Sequence, residues 1–498
     1  MTHRFNPLFV SAVLLASPAR SAELAVRYGV TPVAADGSGV ASLVRVRINL
    51  PGDVTMSSVT VIMPRAIPMG YGRQPYDQFV TINAARSRSG TAATIRREDG
   101  PRWSVASAAP SDPVAAIEYE VDIAAMERAI LAGGDSSRAR EGYLSLLGYS
   151  VFAYVEGFEG RRVDLSVTPP PSLGDWPVFS TLAPKAPAQR GPQAAQAADF
   201  YALADSQIVM GSGFRVRRLL SAPELFMLVH AEGAVDEDTM APLAVQAFEA
   251  LVSYFGTTPF PHFTLFFDYL KPLSPRHTYG FSMEHLQSAT FGALATAALS
   301  PASTDRERTS WRYNVAHHIA HAWIPKRCAG EGYFPFRWEL APLIDTIWFS
   351  EGFGQYAAAD ALSDVLPASA AGKPYRAGLV EGRFRAALRE MPDFLKQMPL
   401  VDLSRTASTV YSEDFRTGRT VFSRGGLMAY EMDERMRATS GGLRRLRDAL
   451  RFLMAWSAKE KRPFRIDELP TLFKDATGVD TRDLMQHWLA PMAGPELR

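Results

Sequence analysis

The sequence predicts an α+β protein of several domains, with a β-sandwich first, a mixed α and β domain in the middle and a helical domain last. Three observations carry this. Alternating apolar and polar residues recur in short runs across residues 23–182, as strands with one buried face require. Helical periodicity enters beyond residue 199 and dominates from 366 onward. The length of 498 residues, 47% hydrophobic and 21% charged, is enough for roughly three globular domains.

Residues 1–22 read as a processing signal. His3 and Arg4 make a weak basic start, residues 8–16 are a short apolar run, and Ser17, Ala19, Ser21 and Ala22 offer small residues for cleavage. That run is too short to span a bilayer, and no cysteine follows it for a lipid anchor. The protein is therefore expected to be exported, periplasmic or secreted. Lys plus Arg number 53 against 52 for Asp plus Glu, a balance that argues for neither nucleic acid nor an acidic surface as partner. Cys328 is the only cysteine, which excludes an internal disulfide and a metal site built on several thiolates.

Strands are expected at residues 44–50, 59–63, 117–121 and 163–167, where alternation is nearly unbroken. Residues 183–198, with Pro184, Pro187 and Pro192 among Ala and Gln, read as a linker. The middle domain spans 199–365, with a helix at 241–255, a strand at 263–269, a helix at 307–324 that must end by Pro325, and a helix at 340–362. Residues 366–498 form the helical domain. Arg444, Arg445, Arg447 and Arg451 on its helix at 443–456 read as a solvated face.

Histidine placement carries the chemistry. Three of nine histidines fall within residues 317–321. On a helix turning roughly 100° per residue, His317 and His321 sit about 40° apart, on one face, with His318 on the flank. Two imidazoles at i and i+4 are how a helix presents ligands to one Zn²⁺. Glu351 continues the apolar stripe of Leu340, Ile344, Ile347 and Trp348. A carboxylate there needs a cation or strong donors; a metal on the two histidines is one such partner, a buried arginine another. Glu284, in the segment 279–285, could sit on an edge strand and hold a peptide amino terminus by charge-assisted hydrogen bonds. Alone, that segment also fits a surface turn.

Residues 317–323, 348–356 and 282–288 together resemble the glycyl aminopeptidase family, relatives of the broader gluzincin aminopeptidases. The resemblance runs nearly the whole mature length. Residues 67–73, with Phe79 and Val80, are similar to the Pro-Gly-Tyr-Arg segment of that family's N-terminal domain, and residues 203–206 with Gly211 to the start of its catalytic domain. The resemblance implies a β-sandwich, a thermolysin-like metallopeptidase domain and a helical domain. It implies His317, His321 and Glu351 as Zn²⁺ ligands, Glu284 as the group binding the substrate's α-amino group, and peptides or peptide N-termini as partners. The family often adds a C-terminal PDZ domain, which no strand-rich segment here is expected to form.

Two positions depart from the family. His318 stands where the zincin pattern H-E-x-x-H has the Glu that deprotonates the attacking water. Phe422, in residues 422–425, stands where the family's Y-x-K-G motif has the Tyr whose hydroxyl stabilises the oxyanion. Losing a general base costs ~10²–10⁴ in rate, and losing an oxyanion donor about 10²–10³. The expectation is a zinc-binding relative with weak or lost catalysis. The alternatives are an active aminopeptidase using His318, Glu331 or Glu339 as base, or a closed site with His318 as a fourth ligand.

Overall fold

The computed structural model describes residues 24–34, 40–131, 136–169, 176–368, 372–411 and 413–492. The processing signal read at 1–22 lies outside them. The N-terminal region is two sheets on one core. The six-stranded sheet runs in the order Gln193–Ala197, Val163–Val167, Val26–Ala34, Ala41–Asn49, Val114–Asp122, Val80–Ser87. The four-stranded sheet runs Tyr154–Val155, Ser58–Ile62, Arg102–Ala106, Thr94–Arg97. Alternation decides the inner face: Val44, Val46 and Ile48 are buried against Val61, Trp103, Val105 and Tyr119, while Arg45 and Arg47 point outward. All four strands expected from alternation are present.

Residues 183–198 are not a linker. Gln193–Ala197 pairs antiparallel with Val163–Val167 at the edge of the large sheet, and Gln189–Arg190 pairs with Pro177–Ser180. Ala and Gln have little strand preference of their own, so the neighbouring strand, not local composition, creates this one. Pro177–Ser180 belongs to a third sheet, with Gln207–Gly211, Tyr143–Leu147 and Arg138–Arg140, that leads the chain into the middle domain.

The middle domain carries a five-stranded sheet in the order Phe214–Ser221, Glu224–Ala231, His262–Leu270, Ser288–Leu294, Phe281–Glu284. Its three central strands are parallel and His262–Leu270 is buried throughout, as a strand covered on both faces must be. Phe281–Glu284 is an antiparallel edge strand. The helix Asp305–Ala320 starts on a capping box between Thr304 and Glu307, which satisfies free backbone N–H groups at its first turn. It runs toward the sheet's edge strand with its histidines at the C-terminal end.

The helix read over 340–362 begins later. Residues 340–347 are irregular, and Leu340, expected in the buried stripe, is 52% exposed. Pro342 explains this, because its ring and missing N–H oppose a helix through it and the residue before it. Helical backbone starts as a π turn at Trp348–Phe353 and continues as α-helix at Gly354–Ser363. π turns inside helices cluster at functional sites.

That π turn lies backbone to backbone on the long helix Phe415–Thr439. A Cβ on Gly425 would stand 2.0 Å from the Trp348 carbonyl oxygen, and one on Gly352 2.4 Å from the Gly425 carbonyl carbon. Only glycine allows this approach. Of the arginines read as a solvated face, Arg444 is exposed but the other three are engaged. Arg445 bonds Asp360 and Asp364, Arg447 bonds Asp364, and Arg451 donates to the Ser253 and Tyr254 carbonyls. These arginines tie the helix Leu446–Glu460 to its neighbours.

Gly425→Ala should force the two backbones apart. We expect a loss of about 1–3 kcal/mol in stability, the usual cost of overpacking, read as a lowered midpoint of chemical unfolding. A midpoint equal to wild type would show that the close approach is not needed.

Candidate metal centre and its cavity

The structure brings together His317, His318, His321, Glu351 and Glu284, from three segments. His317 and His321 come from the end of the helix Asp305–Ala320, Glu351 from the π turn, Glu284 from the edge strand and His318 from the flank of the histidine helix. The Nε2 atoms of His317 and His321 are 2.8 Å apart. Glu351 Oε2 is 3.2 Å from His317 Nε2 and 3.6 Å from His321 Nε2. Glu284, His321 and Glu351 also place donor atoms within 4.8 Å of one another. All four residues are buried.

Electrostatics show what is missing from this cluster in protein terms. Among the described residues no arginine or lysine is hydrogen-bonded to Glu351, which opposes the buried-arginine alternative; its partners are His317 and the Tyr71 hydroxyl. Against the cost of burial, the His321 and His317 imidazoles hold Glu351 well below the usual carboxylate range, and His321 with His318 holds Glu284 down to about 2. Burial and the neighbouring His321 push His317 down to about 3, whereas Glu284 and Glu351 overcome burial and raise His321 to about 9. Two buried carboxylates thus share a pocket with imidazoles and need positive charge. His321 Nδ1 donates to the Ile324 carbonyl at 2.8 Å, which fixes the ring so that Nε2 faces His317 Nε2 and Glu351. Two imidazole nitrogens and one carboxylate oxygen converging on one point are the donor set of a catalytic zinc site with room for substrate. His317, His321 and Glu351 fit that ion.

His318 also places a ring nitrogen within 4.8 Å of those of His317 and His321. Its Nδ1 is buried, makes no hydrogen bond and lies 3.8 Å from Glu284 Oε2. The ring packs edge-on against Phe291, 5.5 Å between centroids. Glu331 and Glu339 are elsewhere and are excluded as substitute bases. Glu331 accepts from the Ile466 backbone N–H, and Glu339 is paired with Arg102. Neither lines the cavity.

The cluster opens into a cavity of about 580 Å³, within the range of small-molecule and peptide sites. Phe422 lies in its wall, packed with Tyr411 and Phe415. Its neighbour Arg424 faces away, buried, and donates to the carbonyls of Met398, Trp488 and Ala490. His277 and His285 are not part of the site. His277 bonds the Glu127 carbonyl and Ser274, and His285 faces Asp205.

Comparison with known proteins bears on the fold. Residues 39–212 match the Peptidase M61 N-terminal domain. The fold matches an aminopeptidase N family protein from Idiomarina loihiensis with a TM-score of 0.79 at 16% identity, covering 94% of this chain and 76% of the other. It also matches an M1 zinc metallopeptidase from Deinococcus radiodurans with a TM-score of 0.53 at 16% identity, covering 95% and 94%. The fold is that of an aminopeptidase-type zinc metallopeptidase. A variant of the Deinococcus enzyme bound to a Tyr-Ser-Ala substrate matches equally, with a TM-score of 0.53, 16% identity and 95% of both chains covered. No curated protein matches the sequence significantly.

One site residue escaped the sequence reading. Tyr71, on the loop at 67–73 of the N-terminal region, donates its hydroxyl to Glu351 Oε1 at 3.0 Å and lies within 3.3 Å of Ser350 Oγ. Its ring packs on Tyr411, and the Gly72 N–H bonds the Ser408 carbonyl. Tyr71 lies inside a segment that the family resemblance had already marked. Its role was hidden because 280 residues separate it from Glu351.

A partner that fixes a ligating carboxylate usually contributes 10–100-fold to metal affinity, so Tyr71→Phe should weaken zinc binding by about that factor. Competition against a zinc-selective dye would measure it. Unchanged affinity would remove Tyr71 from the metal centre.

Proposed function

We propose that the protein is an exported zinc-binding member of the aminopeptidase-type metallopeptidases whose peptide hydrolysis is weak or lost. The observation that carries this is the side chain at the base position. It is the imidazole of His318, and the carboxylates lining the cavity among the described residues are Glu284, Glu351 and Glu390. Glu351 belongs to the metal, Glu390 is paired with Arg419, and Glu284 is on the edge strand where a peptide amino group would bind.

In this reading His317, His321 and Glu351 hold Zn²⁺. When bound, the ion polarises a carbonyl oxygen as a Lewis acid. The chain's own residues do the rest. Glu284 takes the α-amino group by a charge-assisted hydrogen bond. Tyr71 keeps Glu351 in place. His318 brings no carboxylate to accept a proton from an attacking water, and Phe422 presents a ring where a hydroxyl would donate to the developing oxyanion. Peptide binding is supported by the Deinococcus relative with its bound Tyr-Ser-Ala.

A second reading has one observation in its favour. The Glu284 carboxylate lies 3.8 Å from His318 Nδ1, a charge contact that would favour the protonated imidazole once the ring accepts a proton. His318 would then be the working base.

Wild-type protein should hydrolyse glycyl or alanyl anilides poorly or not at all while retaining close to one zinc per chain, and His321→Ala should remove most of the metal. His318→Glu with Phe422→Tyr should produce measurable zinc-dependent turnover, because it returns a base and a donor; His318→Glu alone should recover part of it. Robust wild-type activity abolished by His318→Ala would establish the second reading instead.

Export is proposed from the sequence of residues 1–22. The protein isolated from its native cells should begin between Arg20 and Glu23, and N-terminal sequencing that finds Met1 would sink this.

A further inference from the structure

The cavity is bipolar. Its deep end carries Glu284 and Glu351 beside the histidines. Its lining also carries Arg383 and Arg419, and these two arginines are held differently. Arg419 is paired with Glu390 at 3.1 Å. Arg383, on the π turn Val380–Arg385, donates its Nε to Gln355 Oε1 at 3.1 Å, and its guanidinium stacks over the Tyr313 ring at 5.2 Å. Gln355 is buried, so the hold on Arg383 is built into the core. No carboxylate among the described residues forms an ion pair with Arg383. Its terminal N–H groups are thus pre-oriented at the cavity and free for an anion.

The spacing says which anion. Tyr313 stacks in turn on His317, 6.5 Å between centroids. The Arg383 guanidinium therefore lies no more than about 12 Å from the His317 ring, and an extended chain advances at most ~3.3–3.6 Å per residue. A peptide with its amino group at Glu284 and its first carbonyl beside His317 has at most about that distance left to Arg383, which one or two further residues cover.

We infer that the cavity takes short zwitterionic peptides of two or three residues, with the amino group on Glu284 and the free C-terminal carboxylate on Arg383. This rests on the reading of Glu284 as the amino-group site and adds to it a length limit and a carboxylate requirement. Guanidinium and carboxylate match as a forked pair, and the fixed orientation of Arg383 reduces the entropy lost on pairing. Glu390, paired with Arg419 in the same lining, would disfavour a second carboxylate there.

The test is calorimetric titration of zinc-loaded protein with Ala-Ala-Ala, its C-terminal amide and its N-acetyl form. The free acid should bind about five- to tenfold tighter than the amide, as one charge-assisted contact at a solvent-lined wall allows, and added salt should narrow the gap. In Arg383→Gln the acid should fall to the affinity of the amide, the amide should be unaffected, and Arg383→Lys should keep part of the preference. Equal affinity for acid and amide in wild type, or a preference that persists in Arg383→Gln, would overturn the inference while leaving the amino-group reading intact. Undiminished binding of the N-acetyl peptide would instead overturn the amino-group reading and take this one with it.

Discussion

The contact between the π turn Trp348–Phe353 and the helix Phe415–Thr439 determines where the Glu351 carboxylate sits, and the metal centre depends on it. The two backbones meet at Gly352 and Gly425, closer than any Cβ would permit. The extra residue in a π turn shifts the side chains that follow it around the helix axis. Here the same contact brings the helix carrying Phe422 to the cavity wall. The placements of Glu351 and Phe422 are thus set by one packing event, which is why a change in either glycine would be felt at both.

Charge imposes the second constraint. Glu284 and Glu351 are buried beside three imidazoles, and among the described residues no lysine or arginine is hydrogen-bonded to Glu351. Such a cluster is costly unless a cation is present, and a divalent ion on two imidazoles and a carboxylate supplies it. The protein spends its other buried charges on architecture. Asp205 is held below the usual carboxylate range, against burial, by Lys326 and His285, and Lys326 also donates to the Pro68 carbonyl. That network fastens the N-terminal region beside the loop that delivers Tyr71. The β-sandwich is therefore part of the site and not merely an attached domain.

Much of the site was legible in the primary structure because it is local. His317, His318 and His321 lie within five residues on one helix, so their relation follows from helix geometry alone. Alternation at 44–50 and 163–167 placed strands correctly because one face of each is buried and the other is not. The failures had local causes too. Leu340 looked like part of a helical stripe because periodicity was weighed above Pro342. Residues 193–197 looked like a linker because Ala and Gln carry no strand signal. The arginines at 445, 447 and 451 looked solvated because their partners, Asp360, Asp364 and the Ser253 and Tyr254 carbonyls, are distant in sequence.

By itself the sequence determined the spacing of the imidazoles on the histidine helix and the presence of His318 between them, since each depends on residue identity and the fixed rise and turn of a helix. Tertiary structure alone decided that Tyr71 supports Glu351, that Glu331 and Glu339 lie outside the cavity, and that Arg383 faces it with its guanidinium held by Gln355 and Tyr313. These are relations between segments tens to hundreds of residues apart. No periodicity encodes them, because they arise only when sheets and helices pack and the chain's distant loops are brought within hydrogen-bond range.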